Sequence, residues 1–227
     1  MNKILQMLKL QQELNDATNG VNWEEGMTKN GKIIDWRRCI YLEAAELIES
    51  YPWKHWKNID ASPDYANIKI EIVDIWHFIM SEALRIYKID GRGSIEDIAK
   101  AVSNMKGFQE FTKEEKSEKL DNYEEIALVE DMIRLLFCDK DNIDALVISF
   151  LTISSKLNLK LPELYKLYVG KNILNKFRQE HGYKEGTYIK IWNKEEDNVL
   201  MQRILNEKSE ITPDALYGAL EEDYPKG

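Results

Sequence analysis

The chain has 227 residues, of which 44% are hydrophobic and 31% charged, enough apolar content for a buried core and a composition that excludes general disorder. A formal net charge of −9 without a dense basic stripe argues against a nucleic-acid polymer as partner, although a metal and a few local cations still allow an acidic chain to hold an acidic ligand. No apolar run approaches the ~18–20 residues of a membrane span, and the stretch MNKILQMLKLQQEL lacks a signal-peptide apolar block, so the expectation is a cytoplasmic protein with no membrane association.

Apolar residues recur at helical spacing along almost the whole chain. Helices are predicted over residues 2–18, 36–51, 64–88, 94–105, 123–138, 142–157, 161–180, 194–208 and 212–221. Ser94 with Asp97 three residues on, and Thr212 followed by Pro213, mark two of the starts. Residues 19–35 read as a loop or at best a weak hairpin through Lys29-Asn30-Gly31-Lys32, and 107–121 as a solvated connection or exposed helix. Tyr183 to Trp192 reads as an extended functional loop. The expected class is all-α, one domain over 1–227, with a possible subdivision into a helical core and a more mobile part near 95–160. Cys39 and Cys138 lack metal-ligand spacing and read as small core residues.

On the first helix Gln11 and Asn15 are spaced i, i+4, within the arc of Ile4, Met7, Leu8 and Leu14. Two carboxamides on an apolar face offer both hydrogen-bond donors and acceptors to a polar partner. The plain alternative is that each amide bonds nearby backbone.

Two short acidic motifs follow. Glu43-Ala44-Ala45-Glu46, with Glu49 close behind, lies on the second helix, and Glu71-Ile72-Val73-Asp74 lies on the third. Spacing of i, i+3 puts both carboxylates of a motif on one face. Projected at about 100° per residue, Glu43 and Glu46 share an arc with Trp36, Cys39, Ile40 and Leu47, and Glu71 and Asp74 share one with Ile68, Ile75, Phe78 and Ile79. These acids therefore project from the stripe that should be buried, where unpaired carboxylates cost several kcal/mol each. Arginine, lysine or a divalent metal would neutralise them, and oxygen-only donors suit Mg²⁺. Ordinary exposed glutamates beside a misjudged face are the plain alternative. A di-iron bundle needs two E-x-x-H motifs, whereas only Asp74-x-x-His77 approaches one, and projection puts His77 about 60° away on the outer side.

Several further segments carry binding chemistry. Trp53-Lys54-His55-Trp56-Lys57 offers aromatic faces and cations. Phe78 lies one turn beyond Asp74 and reads equally as core or as an apolar surface for a ligand. Lys171, Asn175 and Arg178 line one helix face at i, i+4, i+7, a donor set for phosphate oxygens, ahead of a loop carrying Tyr183, Lys184, Tyr188 and Lys190.

The order E-x-x-E, a gap of about 25 residues, then E-x-x-D resembles the all-α nucleoside triphosphate pyrophosphatases. The stretches LKLQQELND, WRRCIYLEAAELIES, WKHWKNI, IEIVDIWHFIM and GKNILNKFRQEHGYKEGTYIKIW resemble one branch, the dimeric dUTPases, over about residues 8–192. The resemblance implies a homodimeric helical enzyme that converts dUTP, and also dUDP, to dUMP using Mg²⁺. Glu43, Glu46, Glu71 and Asp74 would hold the metal, and Glu46 would also orient or deprotonate the attacking water. Gln11 and Asn15 would read the base. Trp56, Lys57, Phe78, Lys171, Asn175, Arg178, Tyr183 and Lys190 would contact the rest of the nucleotide, with the 183–192 loop closing over it. A pyrophosphatase for another deoxynucleotide such as dCTP, or a non-catalytic helical nucleotide-binding protein, are the competing expectations.

Overall fold

The computed structural model describes residues 2–57, 60–139, 142–207 and 212–225, and among these it contains ten α-helices and one two-stranded sheet. The all-α expectation holds. Two compact units are present, Met1–Leu164 and Tyr165–Gly227.

In the first unit, α1 (Lys3–Asn19), α2 (Trp36–Glu49), α3 (Tyr65–Ile89), α4 (Ile95–Asn104), α5 (Phe108–Thr112), α6 (Asn122–Cys138) and α7 (Ile143–Lys156) lead to the start of α8 (Leu161–Glu180). Their starts follow local chemistry. The carboxylates of Asp35 and Asp64 accept the backbone N–H groups of Arg38 and Asn67, and Ser94 and Asp121 form capping boxes with Asp97 and Glu124.

Helix α3 is the hub, packed by α1, α2, α4 and α7. Because neighbours cover it on several sides, the consecutive residues Ile75, Trp76 and His77 are all buried, as expected of a helix that is apolar nearly all round. Trp76 stacks on Phe150 of α7 at 4.6 Å between ring centroids. This corrects the projection of His77 to an outer side: it is 3% exposed. Single-face periodicity does not apply to a helix without a solvated face.

Two other expectations change. Within 107–121 the short helix α5 buries Phe111 completely, so this segment is anchored to the core rather than merely solvated. Cys138, the last residue of α6, is exposed, while Cys39 is partly buried as expected. Residues 19–35 form the anticipated weak hairpin through a single Met27–Ile33 bridge, preceded by a 3₁₀ turn at Trp23–Glu25 whose Trp23 is fully buried.

In the second unit the remainder of α8 is followed by β1 (Ile191–Trp192), β2 (Glu195–Glu196), α9 (Asp197–Glu207) and α10 (Pro213–Asp223). The helix predicted from 194 begins at Asp197, because Asn193 and Lys194 adopt positive φ and turn the chain into an antiparallel pairing of Trp192 with Glu195. Its predicted end at 208 lies outside the described residues. Phe177, Tyr188, Trp192, Tyr217 and Tyr224 form one aromatic cluster. Gly170 lets α9 approach α8 closely, since a Cβ there would meet Leu205 Cδ1 at 2.6 Å. Among the described residues no helix is long and apolar enough to cross a membrane.

Candidate active site

Helix α2 buries Trp36, Ile40, Ala44 and Leu47, and this apolar stripe seats it along α3. The same helical period that aligns those residues carries Glu43 and Glu46 toward Glu71. One carboxylate oxygen from each of the three lies within 4.8 Å of the others. Glu71 is buried, Glu43 half-buried and Glu46 exposed, so the cluster runs from the core to the surface. Asp74, one turn along α3, is half-buried and lies outside this convergent set. Glu49 is exposed and ion-paired with Lys54.

Carboxylates this close repel one another, most strongly where they are buried and least at the exposed Glu46, which water screens. Hard oxygen donors at such spacing fit a hard divalent ion, whose oxygen ligands sit about 2.0–2.6 Å from the metal. The negative field is felt nearby. The Cys39 thiol is pushed up to about 11, first by burial and then by the charges of Glu43 and Asp35. A cavity of about 440 Å³ opens beside Glu46, lined also by Glu49, Ser50, Tyr51, Asp64 and Asn67.

The two carboxamides of α1 are buried, each 3% exposed. They bond across to α3. Gln11 Nε2 and Asn15 Nδ2 both donate to Ser81 Oγ at 3.0 Å, Ser81 in turn donates to the His77 carbonyl at 2.9 Å, and Gln11 Oε1 lies 2.7 Å from His77 Nδ1. If Gln11 Oε1 accepts there, the proton of His77 sits on Nδ1. Reading along the chain weighed His77 only as a metal ligand and passed over Ser81. The available signal was the nearly unbroken apolar run of α3, which marks a helix buried on all sides.

Phe78 stacks on Trp36 at 5.9 Å, and Trp36 meets Trp23 edge-on at 5.6 Å. Trp56 is 62% exposed and touches both Trp53 and His55, and Lys57 is exposed beside it.

In the second unit Lys171 and Arg178 are buried, and Asn175 is half-buried between them on α8. Arg178 grips Asp197 with two hydrogen bonds, and Lys171 donates to Asn198. Neither acceptor was singled out along the chain, where residues 194–208 read only as a helix. Arg178 lies over the ring of the half-exposed Tyr183 at 5.9 Å, and the exposed Lys190 pairs with Glu196 at 3.4 Å. The turn between them needs Gly182, where φ is +85° and a Cβ would overlap Thr187 Oγ.

Burial would raise the Asp197 carboxyl, but the hydrogen bonds and charge of Arg178, with Tyr188 and Lys171, hold it below the usual carboxylate range. A depressed folded value stabilises the protein above the unfolded value near 4, and the contribution is lost as pH falls through the folded value. The stability gap between wild-type and Asp197→Asn protein is therefore expected to close in urea titrations as pH falls below about 4.

An all-α chain whose two packed helices bring three carboxylates together is a helical protein with an acidic cluster that could hold a hard cation. Residues 3–183 match the dUTPase family, and the chain belongs to it. That span holds every predicted site residue except Lys190. No curated protein matches the chain. The family is one of dUTP-hydrolysing enzymes that generally use a divalent metal.

Proposed function

We propose that this protein hydrolyses dUTP to dUMP and pyrophosphate, and dUDP to dUMP and phosphate, with Mg²⁺ held by Glu43, Glu46, Glu71 and Asp74. The observation that carries this reading is the meeting of Glu43, Glu46 and Glu71 oxygens within 4.8 Å on two packed helices of a dUTPase-family chain. Bound Mg²⁺ would supply charge neutralisation at the phosphate oxygens and acidify a water. Glu46, the exposed member of the set, would orient the attacking water and accept its proton. The water oxygen bonds to phosphorus as the link between the α- and β-phosphoryl groups breaks.

Gln11 and Asn15 are the proposed readers of uracil. The carboxamides that now bond Ser81 and each other can exchange those bonds for O4, N3–H and O2, while His77 holds Gln11 in orientation. Phe78 is proposed to pack on the deoxyribose, and Trp56 and Lys57 to contact the nucleotide. Lys171, Asn175 and Arg178 are proposed to take phosphate oxygens, with Tyr183 and Lys190 on a loop that closes when nucleotide arrives. The enzyme is proposed to act as a single functional domain, as a homodimer, in the cytoplasm.

Purified protein with Mg²⁺ and each deoxynucleoside triphosphate tests the proposal. The expectation is pyrophosphate release from dUTP with kcat/KM at least ~100-fold above that for dCTP, because cytosine would leave buried polar groups of the site unpaired. Gln11→Leu should shrink that ratio to below ~10-fold. Release from dCTP at the dUTP rate would favour the cytosine reading, and no release from any nucleotide would overturn the enzyme.

A further inference from the structure

Asp197 is 0% exposed and accepts three side-chain hydrogen bonds. Arg178 Nε donates to Oδ2 at 2.8 Å and Arg178 Nη2 to Oδ1 at 2.7 Å, a bidentate fork, and the Tyr188 hydroxyl donates to Oδ2 at 2.8 Å. The same guanidinium donates through Nη1 to Asn175 Oδ1 at 3.2 Å and through Nη2 to Asn198 Oδ1 at 3.3 Å. Asn198 Oδ1 also accepts from Lys171 Nζ at 2.9 Å. Lys171 and Arg178 are thus joined through Asn198 of α9, and Asn175 is joined to Arg178 directly, all inside the second unit.

We propose that Asp197 is a positioning residue for phosphate binding, fixing the Arg178 guanidinium in one plane before nucleotide arrives. This rests on the phosphate role proposed for Arg178. It goes beyond the family match, which ends at residue 183. A bidentate carboxylate–guanidinium pair adds little net stability when buried, but it fixes direction, and a cation held in place loses less conformational freedom on binding an anion than a solvated one. Burial works against the Asp197 charge, and Arg178 and Tyr188 outweigh it, so the carboxylate is ionised at neutral pH and able to hold the arginine. Tyr188 in turn is pushed well above the usual phenol range by burial and by Asp197, so it stays a donor.

The test uses the full-length variants Asp197→Asn, Arg178→Ala, their double mutant and Tyr188→Phe, each first checked for fold by circular dichroism. KM and kcat for dUTP are measured, together with the Kd of deoxyuridine, which lacks phosphate. Asp197→Asn is expected to raise KM about 10-fold, equivalent to ~1.4 kcal/mol, with deoxyuridine affinity unchanged. The double mutant should show the KM of Arg178→Ala alone, since Asp197 acts through that arginine. Tyr188→Phe, a milder change that keeps the ion pair, should raise KM about 2-fold. A folded Asp197→Asn protein with wild-type KM, or a double mutant whose KM defects simply multiply, overturns the positioning role while leaving the phosphate role intact. If Asp197→Asn does not fold, a wild-type KM for Tyr188→Phe has the same meaning. A wild-type KM for Arg178→Ala overturns the phosphate role itself, and the inference with it.

Discussion

Glu46→Gln protein is expected to bind dUTP with near wild-type affinity yet release pyrophosphate about 10³-fold more slowly, a loss of ~4 kcal/mol of transition-state stabilisation. The amide keeps the size of the side chain but cannot accept the water's proton. Glu43 and Glu71 remain to hold the cation, and Glu71 is the buried member that anchors the cluster, which is why binding should survive. Nucleotide affinity measured by calorimetry and single-turnover rates separate the two effects. A turnover within ~5-fold of wild type would remove Glu46 from its role, because a general base ordinarily contributes ~10²–10⁴-fold.

Mg²⁺ is expected to raise the melting temperature of the wild-type protein by about 5–10 °C at ~100 times its Kd, and Glu71→Gln to abolish that shift together with activity. A ligand at that concentration that binds only the folded state stabilises it by ~2.7 kcal/mol, and for chains of about this length each kcal/mol moves the midpoint by ~2–4 °C. The physical origin is the convergence of three carboxylates within 4.8 Å, whose mutual repulsion a divalent cation relieves. Glu71 is the discriminating position because it is 6% exposed, so water screens it least. Thermal melts with and without chelator give the result. A Glu71→Gln protein that still shows the full Mg²⁺ shift would place the ion elsewhere.

Much of this was already visible along the chain, for local reasons. A turn of 3.6 residues makes i, i+3 acids neighbours whatever surrounds them, so the pairing of Glu43 with Glu46 needed no tertiary knowledge. Apolar spacing likewise marked α2 and α3, and Ser94 and Thr212 marked helix starts through cap chemistry that acts over three residues. The motifs at these positions carried the family resemblance that the match over 3–183 bears out.

Packing alone assigned the rest. Whether Glu71 would meet Glu43 and Glu46 depended on how α2 seats on α3, and the same packing left Asp74 outside the convergent set. The sharing of Ser81 by Gln11 and Asn15, and the contact of Gln11 with His77, join residues 66 to 70 positions apart. Burying α3 on several sides erased the solvated face from which His77 had been placed. Asp197 lay inside a predicted helix from 194 until the hairpin at Asn193 and Lys194 set the start of α9, and with it the carboxylate that grips Arg178. Helical periodicity fixes the direction of a side chain about its own axis, whereas the identity of the group it meets depends on neighbours that only the folded chain brings near.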